Sequence, residues 1–262
     1  MEILIGKNAR ELVCLSNQIF RQILLITDGC SNVGTDPVYA AQVAKEKGVA
    51  VNVIALLDRE TAGRSGQQEA QNIAAAGGGL CRIVTVGQLA QTMQMVTQQT
   101  MQLTLQQVVN RELRAIVGQE TEELPPETRM RVAKYMDDLG DAAELHLALT
   151  IDMSASMLPK IPAMRDAIRD LELSLQARSG HHELAIVAFP GEGGEDVAVL
   201  CRRGTLAELN ALTSQLKASG STPTGPAIVT SMNVLLQPSD GGVPRKGKDE
   251  RPGGGEDVSY VV

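Results

Sequence analysis

Three short stretches of this sequence gather oxygen donors at spacings that could hold a cation. In Asp152-Met-Ser154-Ala-Ser156, a loop can turn residues i, i+2 and i+4 toward one point. One carboxylate and two hydroxyls then form half of a hard-oxygen shell of the kind that suits Mg²⁺ or Mn²⁺. Ser221-Thr222-Pro223-Thr224-Gly225-Pro226 places more hydroxyls just ahead of a helix, and Thr27-Asp28-Gly29 supplies a second carboxylate. Singly, each has a plainer reading: a chance D-x-S-x-S, an N-cap before proline, an aspartate in a turn.

Other chemistries fit the same residues less well. A phosphatase of the haloacid-dehalogenase type also begins with an aspartate after its first strand, but needs a second aspartate two residues on, where this chain has Ser154. A serine hydrolase built on Ser154 or Ser156 needs a histidine base. The chain has three histidines, of which His146 reads as a strand residue and His181-His182 as a solvated turn. No G-x-x-x-x-G-K-[ST] occurs, and Gly77-Gly78-Gly79 follows a helical pattern, so it reads as a stop and not as a phosphate cradle.

The elements that must position these loops alternate between apolar runs and helical periodicity, the pattern of a parallel sheet flanked by helices. Strands are expected over Gln22 to Thr27, Val49 to Leu57, Cys81 to Val86, His146 to Ile151, Leu184 to Phe189 and Asp196 to Cys201. The last two are joined by a short Gly-rich link that suits an antiparallel hairpin. Asp36-Pro37 marks a helix start and Gly48 its stop. A helix opens at Ser65, and a long one, broken at most once, covers Gln88 to Val117. Beyond the Pro125-Pro126 linker, Val132, Met136 and Leu139 share the face of a helix ending at Gly140. Ile161, Met164, Ile168, Leu171 and Leu175 form the stripe of another. Thr205 and Glu208 make a capping box, Pro226 to Leu236 is the last helix, and the Gly- and charge-rich remainder reads as disordered.

Composition narrows the class. With two Phe, three Tyr and no Trp, a net charge of −7 and a pI near 5.1, the chain lacks both the stacking platform and the basic stripe of a nucleic-acid binder. No apolar run approaches the ~20 residues of a membrane span. Charges at Glu2, Lys7, Arg10 and Glu11 interrupt what would be a signal peptide. Four cysteines in unpaired spacing read as reduced thiols. Together these point to a cytoplasmic location.

The three oxygen-bearing loops resemble the von Willebrand factor A (VWA) domain and its metal-ion-dependent adhesion site (MIDAS). That family carries D-x-S-x-S after its first strand, a threonine in a later G-x-T-x-T-G-like loop and an aspartate after its fourth strand. Matched by position, these are Asp152, Ser154 and Ser156, then Thr222, then Asp28. The aspartate element comes first here, so the chain looks like a circularly permuted VWA domain. It is similar in particular to VWA proteins of endospore-forming bacteria that share the LLITDGCSNVG element.

The resemblance implies an α/β, Rossmann-like fold with a six-stranded, mostly parallel sheet and one antiparallel edge strand. Residues 22–100 would be the second half of the domain and 146–236 the first. Residues 101–145 would form a helical bridge, 1–21 an N-terminal extension and 237–262 a tail. It also implies a non-catalytic, Mg²⁺- or Mn²⁺-dependent protein-interaction module connected with sporulation. Hydroxyls of Ser154, Ser156 and Thr222 would hold the ion, with Asp152 and Asp28 acting partly through water. A partner's Asp or Glu carboxylate would take the open position. The alternatives are a metal-dependent phosphohydrolase and a structural module with a vestigial site. The halves could also swap between two chains.

Overall fold

The computed structural model of the protein describes residues 19–56, 64–118, 120–191, 195–202 and 221–237. The expected helix at Thr205, the tail after Pro238 and most of the expected N-terminal extension lie outside the described residues. In chain order the elements are β1 (Ile19–Thr27), α1 (Pro37–Glu46), β2 (Val49–Leu56), α2 (Arg64–Ala76), β3 (Gly78–Val84), α3 (Leu89–Val117) and α4 (Pro126–Ala142). Then come β4 (Glu144–Asp152), α5 (Ile161–Gln176), β5 (His182–Phe189), β6 (Ala198–Cys201) and α6 (Thr224–Leu236).

One six-stranded sheet runs in the order β3-β2-β1-β4-β5-β6. All pairs are parallel except β5 with β6. The two central strands are apolar on both faces, as a strand covered by helices on each side must be. Leu24 and Ile26 of β1 join Leu145, Leu147 and Leu149 of β4 against α3 and α5. Ile23 and Leu25 turn the other way, toward α1, α2 and α6, whose contribution is largely alanine. The chain is thus an α/β protein with the mostly parallel, helix-flanked sheet that its periodicity predicts and the Rossmann-like order that the resemblance implies, with the antiparallel strand at an edge.

Local chemistry explains where elements begin and end. The Asp36 side chain accepts from the backbone N–H of Val38 and Tyr39, capping α1. Gly48, at φ +76°, turns the chain directly into β2. β1 starts at Ile19, before the expected Gln22, because β4 pairs with it all the way back to Glu144. α3 runs unbroken for 29 residues, about 43 Å at 1.5 Å per residue. Its Thr92, Thr97 and Thr104 hydroxyls each donate to the carbonyl four residues earlier, so these polar side chains are satisfied within the helix. α4 continues past Gly140 to Ala142, where the Arg178 guanidinium donates to the Gly140 and Ala143 carbonyls at 2.8 and 2.9 Å.

Gly77-Gly78-Gly79 ends α2 as expected but also starts β3, earlier than Cys81. The β2–β3 register shifts between Val51 and Val53. At that bulge the backbones approach so closely that a Cβ on Gly79 would lie 2.3 Å from the Val51 carbonyl oxygen. The Leu80 N–H, displaced from the ladder, donates instead to the fully buried Asn52 side chain at 2.9 Å. Asn52 also accepts from the Thr100 hydroxyl at 2.7 Å and donates to Gln22 Oε1 at 3.3 Å. Gln22 Nε2 in turn donates to the Thr97 carbonyl at 3.3 Å. This polar cross-tie links β1, β2, β3 and α3. Among the described residues no helix is long and apolar enough to cross a membrane.

Candidate metal site at the centre of the sheet

β1 and β4 are neighbours, yet the chain runs outward from them in opposite directions, to β2 and β3 on one side and to β5 and β6 on the other. Such a switch point leaves a crevice at the carboxyl ends of the two strands, where open α/β sheets place their ligands. Ile26 lies opposite Ile151 in the ladder, so the next residues, Thr27 and Asp152, leave the sheet side by side.

Asp152 is fully buried. Its Oδ2 accepts from the Thr27 hydroxyl at 2.6 Å and its Oδ1 from the Ser154 N–H at 2.9 Å. Ser154 then precedes a 3₁₀ turn, Ala155–Lys160, that holds Ser156 beside it, with the two hydroxyls 3.1 Å apart. The Ser156 hydroxyl donates to Asp28 Oδ1 at 2.8 Å. The other oxygen of Asp28, Oδ2, meets the Lys160 ammonium, which also donates to the Ser156 carbonyl at 3.2 Å. Hydrogen bonds therefore join Asp28, Ser156, Ser154 and, through the Ser154 N–H, Asp152.

Thr222 stands against the same loop without a hydrogen bond to those four among the described residues. Its N–H donates to Asn32 Oδ1 at 2.7 Å, and its carbonyl accepts from the Asn32 N–H and the Ser31 hydroxyl, both at 3.2 Å. The seam is tight, since a Cβ on Gly225 would fall 1.8 Å from the Thr35 carbonyl oxygen. The Thr222 loop is therefore tied to the loop that carries Asp28.

The donor set fits a small hard cation. Asp28, Asp152, Ser154 and Ser156 all end in oxygen, and two of them are carboxylates. Burial pushes the Asp152 carboxyl up from its ordinary value and the Asp28 charge adds to this; hydrogen bonds from Thr27 and Ser154 oppose it. Lys160, itself buried, compensates one of the two negative charges. The Thr224 hydroxyl, also buried, has no hydrogen-bond partner among the described residues.

Lys160 was not singled out in the sequence. A cation four residues after Ser156, one helical turn on, can fold back over the loop, and that spacing was the available signal. Thr27 had one too, as the hydroxyl next to Asp28. Asn32 and Ser31 had none, because what they hold is backbone almost two hundred residues away.

The fold and this crevice define an α/β protein of Rossmann-like class with an oxygen-lined site at its switch point. No family model matches the chain. The uncharacterized protein YabS of Bacillus subtilis is 45% identical over 216 residues, which are 82% of this chain and 88% of YabS. The crystal structure of an uncharacterized protein from Alicyclobacillus acidocaldarius has a TM-score of 0.80 at 49% identity, covering 85% of this chain and 97% of that one. The chain belongs to the YabS family. A structure of proximal thread matrix protein 1 from the mussel byssus, described as having a zinc-occupied MIDAS motif, reaches a TM-score of only 0.24 at 16% identity over 78% of this chain and 43% of that chain. That likeness is too remote to argue from.

Proposed function

We propose that this protein is a circularly permuted VWA domain that binds a divalent cation and, through it, a carboxylate of a partner protein. Strand order supports the permutation. Counted from β4, the strands run β4, β5, β6, β1, so Asp152 follows the first and Asp28 follows the fourth, as the VWA pattern requires. The observation that carries the reading is the 2.8 Å hydrogen bond from Ser156 to Asp28, which joins the two motif halves across 128 residues of sequence.

Ser154, Ser156 and Thr222 would offer hydroxyls to Mg²⁺ or Mn²⁺, with Asp28 and Asp152 supplying the negative charge. A shell dominated by neutral hydroxyls leaves the cation electrophilic toward an outside ligand, and an Asp or Glu of a partner is the natural group to complete it. Lys160 must give up at least part of its hold on Asp28 when the cation enters. The role in this reading is binding and not catalysis: among the described residues no histidine stands beside Asp28 and Asp152 to serve as a base for Ser154 or Ser156. This reading includes a role in sporulation, supported by the resemblance to proteins of endospore formers, and a cytoplasmic location, supported by the unpaired spacing of the four cysteines.

Thermal unfolding with and without millimolar Mg²⁺ or Mn²⁺ tests the cation. At a hundredfold excess over its dissociation constant, an ion bound only by the native state stabilises it by ~2.7 kcal/mol. Wild type should show that shift, and Asp28→Ala and Asp152→Ala should each abolish it. Retention of the shift in either variant overturns the shared site.

A further inference from the structure

All three histidines of the chain are His146, His181 and His182, and the fold gathers them at the opposite end of β4 from Asp152. The β4–β5 register sets Leu145 opposite His182 and His146 opposite Glu183, which brings Glu144 alongside His181. Side chains alternate along a strand, so Glu144, His146, His181 and Glu183 share one face while His182 turns to the other. His146 is buried and His181 exposed.

The donor atoms converge. Glu144 Oε1 lies 2.7 Å from His146 Nε2 and 3.5 Å from His181 Nδ1. These three atoms all lie within 4.8 Å of one another. Glu183 Oε2 lies 3.6 Å from His146 Nε2. A tetrahedral ion with bonds of about 2.0–2.1 Å needs its donors ~3.3 Å apart, a spacing these distances bracket. The charged neighbour on β1 is Arg21, opposite His146 in the ladder, whose Nε donates to the Leu235 carbonyl at 3.2 Å.

We propose that Glu144, His146 and His181 form a second cation site selective for a borderline metal of the Zn²⁺ class. Two imidazoles with carboxylate suit such an ion, whereas Mg²⁺ takes oxygen. The protein would thus carry chemically distinct cation sites at the two ends of β4, about 26 Å apart at the rise of a strand. The bound ion would clasp the turn before β5 to the α4–β4 junction. That contact already exists in weaker form through Arg178 and through the Ser179 hydroxyl, which donates to Asp141 Oδ2 at 2.8 Å.

The test is calorimetric titration of the full chain with Zn²⁺ in an Asp152→Ala background, which removes the first site from the count. One Zn²⁺ should bind and raise the unfolding temperature, while Mg²⁺ does neither. Adding His181→Ala, or separately Glu144→Gln, should weaken Zn²⁺ binding at least ~10-fold. Because the His181 ring is two-thirds exposed, its removal leaves the fold intact, which circular dichroism checks. No Zn²⁺ binding in the Asp152→Ala protein, or binding that both further variants leave unchanged, overturns the site. Failure of the Mg²⁺ shift in wild type would count only against the first reading.

Discussion

Asp28 has a counter-ion built into the chain, and that makes Lys160 the residue that sets how readily the crevice takes a metal. Both side chains are about 95% buried, so breaking the pair leaves an uncompensated carboxylate, at a cost of about 3–5 kcal/mol. Lys160→Met keeps the apolar stem and removes the charge. The metal-free variant should unfold at a lower temperature than wild type, and its Mg²⁺- or Mn²⁺-induced shift should be larger than wild type's. Thermal melts over a cation titration read both effects. An equal or smaller shift would mean that Lys160 belongs to the occupied site and does not compete with the ion. That Asp28, Asp152, Ser154 and Ser156 come together was legible in the sequence because their types and spacing carry the chemistry. Lys160 was not, since its meaning depends on where the 3₁₀ turn throws its side chain.

Among the elements, β2 and β3 depend on a polar side chain doing the work of backbone. Asn52 stands where the bulge has moved the Leu80 N–H out of register, and three hydrogen bonds converge on it. Replacing it by leucine strands the Leu80 N–H, the Thr100 hydroxyl and Gln22 Oε1. A buried unsatisfied group costs about 1–3 kcal/mol. Asn52→Leu should therefore lower the urea midpoint by the equivalent of ~3 kcal/mol at unchanged slope, with the cation response retained. Val49 to Leu57 reads from sequence as an apolar run with one polar interruption, and nothing local says that the interruption is a hub. The start of β3 was hidden for a related reason: glycines signal a stop by their conformational freedom, whereas here Gly79 is also required by the nearness of Val51, a contact set by pairing. Gly140 reads as an end for the same reason, yet the C-terminus of α4 is fixed two residues later by an arginine from another segment.

At the scale of the whole molecule, β1 and β4 are central neighbours whose site-bearing ends, Thr27 and Asp152, are 125 residues apart in sequence. Alternation of apolar runs with helices was enough to predict a mostly parallel sheet, and the short Gly-rich link after Phe189 to predict its antiparallel edge. Where the two halves meet was legible only through the oxygen-bearing motifs, because apolar periodicity specifies burial and not which strand lies beside which. The histidine cluster escaped for a similar reason, since each half reads locally as a strand residue or a solvated turn until β4 and β5 are set in register. The same separation has a consequence during synthesis. β1 leaves the ribosome with β2 available to cover one side, but the side destined for β4 stays bare while 125 further residues are made, about 6–25 s at ~5–20 residues per second. That side is an apolar parallel edge, the kind prone to wrong pairing. Nascent chains stalled before Glu144 should be cut readily by protease and held by chaperones, and chains that include β5 should be resistant. Pulse-labelled, length-stalled ribosome complexes would show the transition. The molecule would then commit to its fold late and in a single step, when its middle arrives.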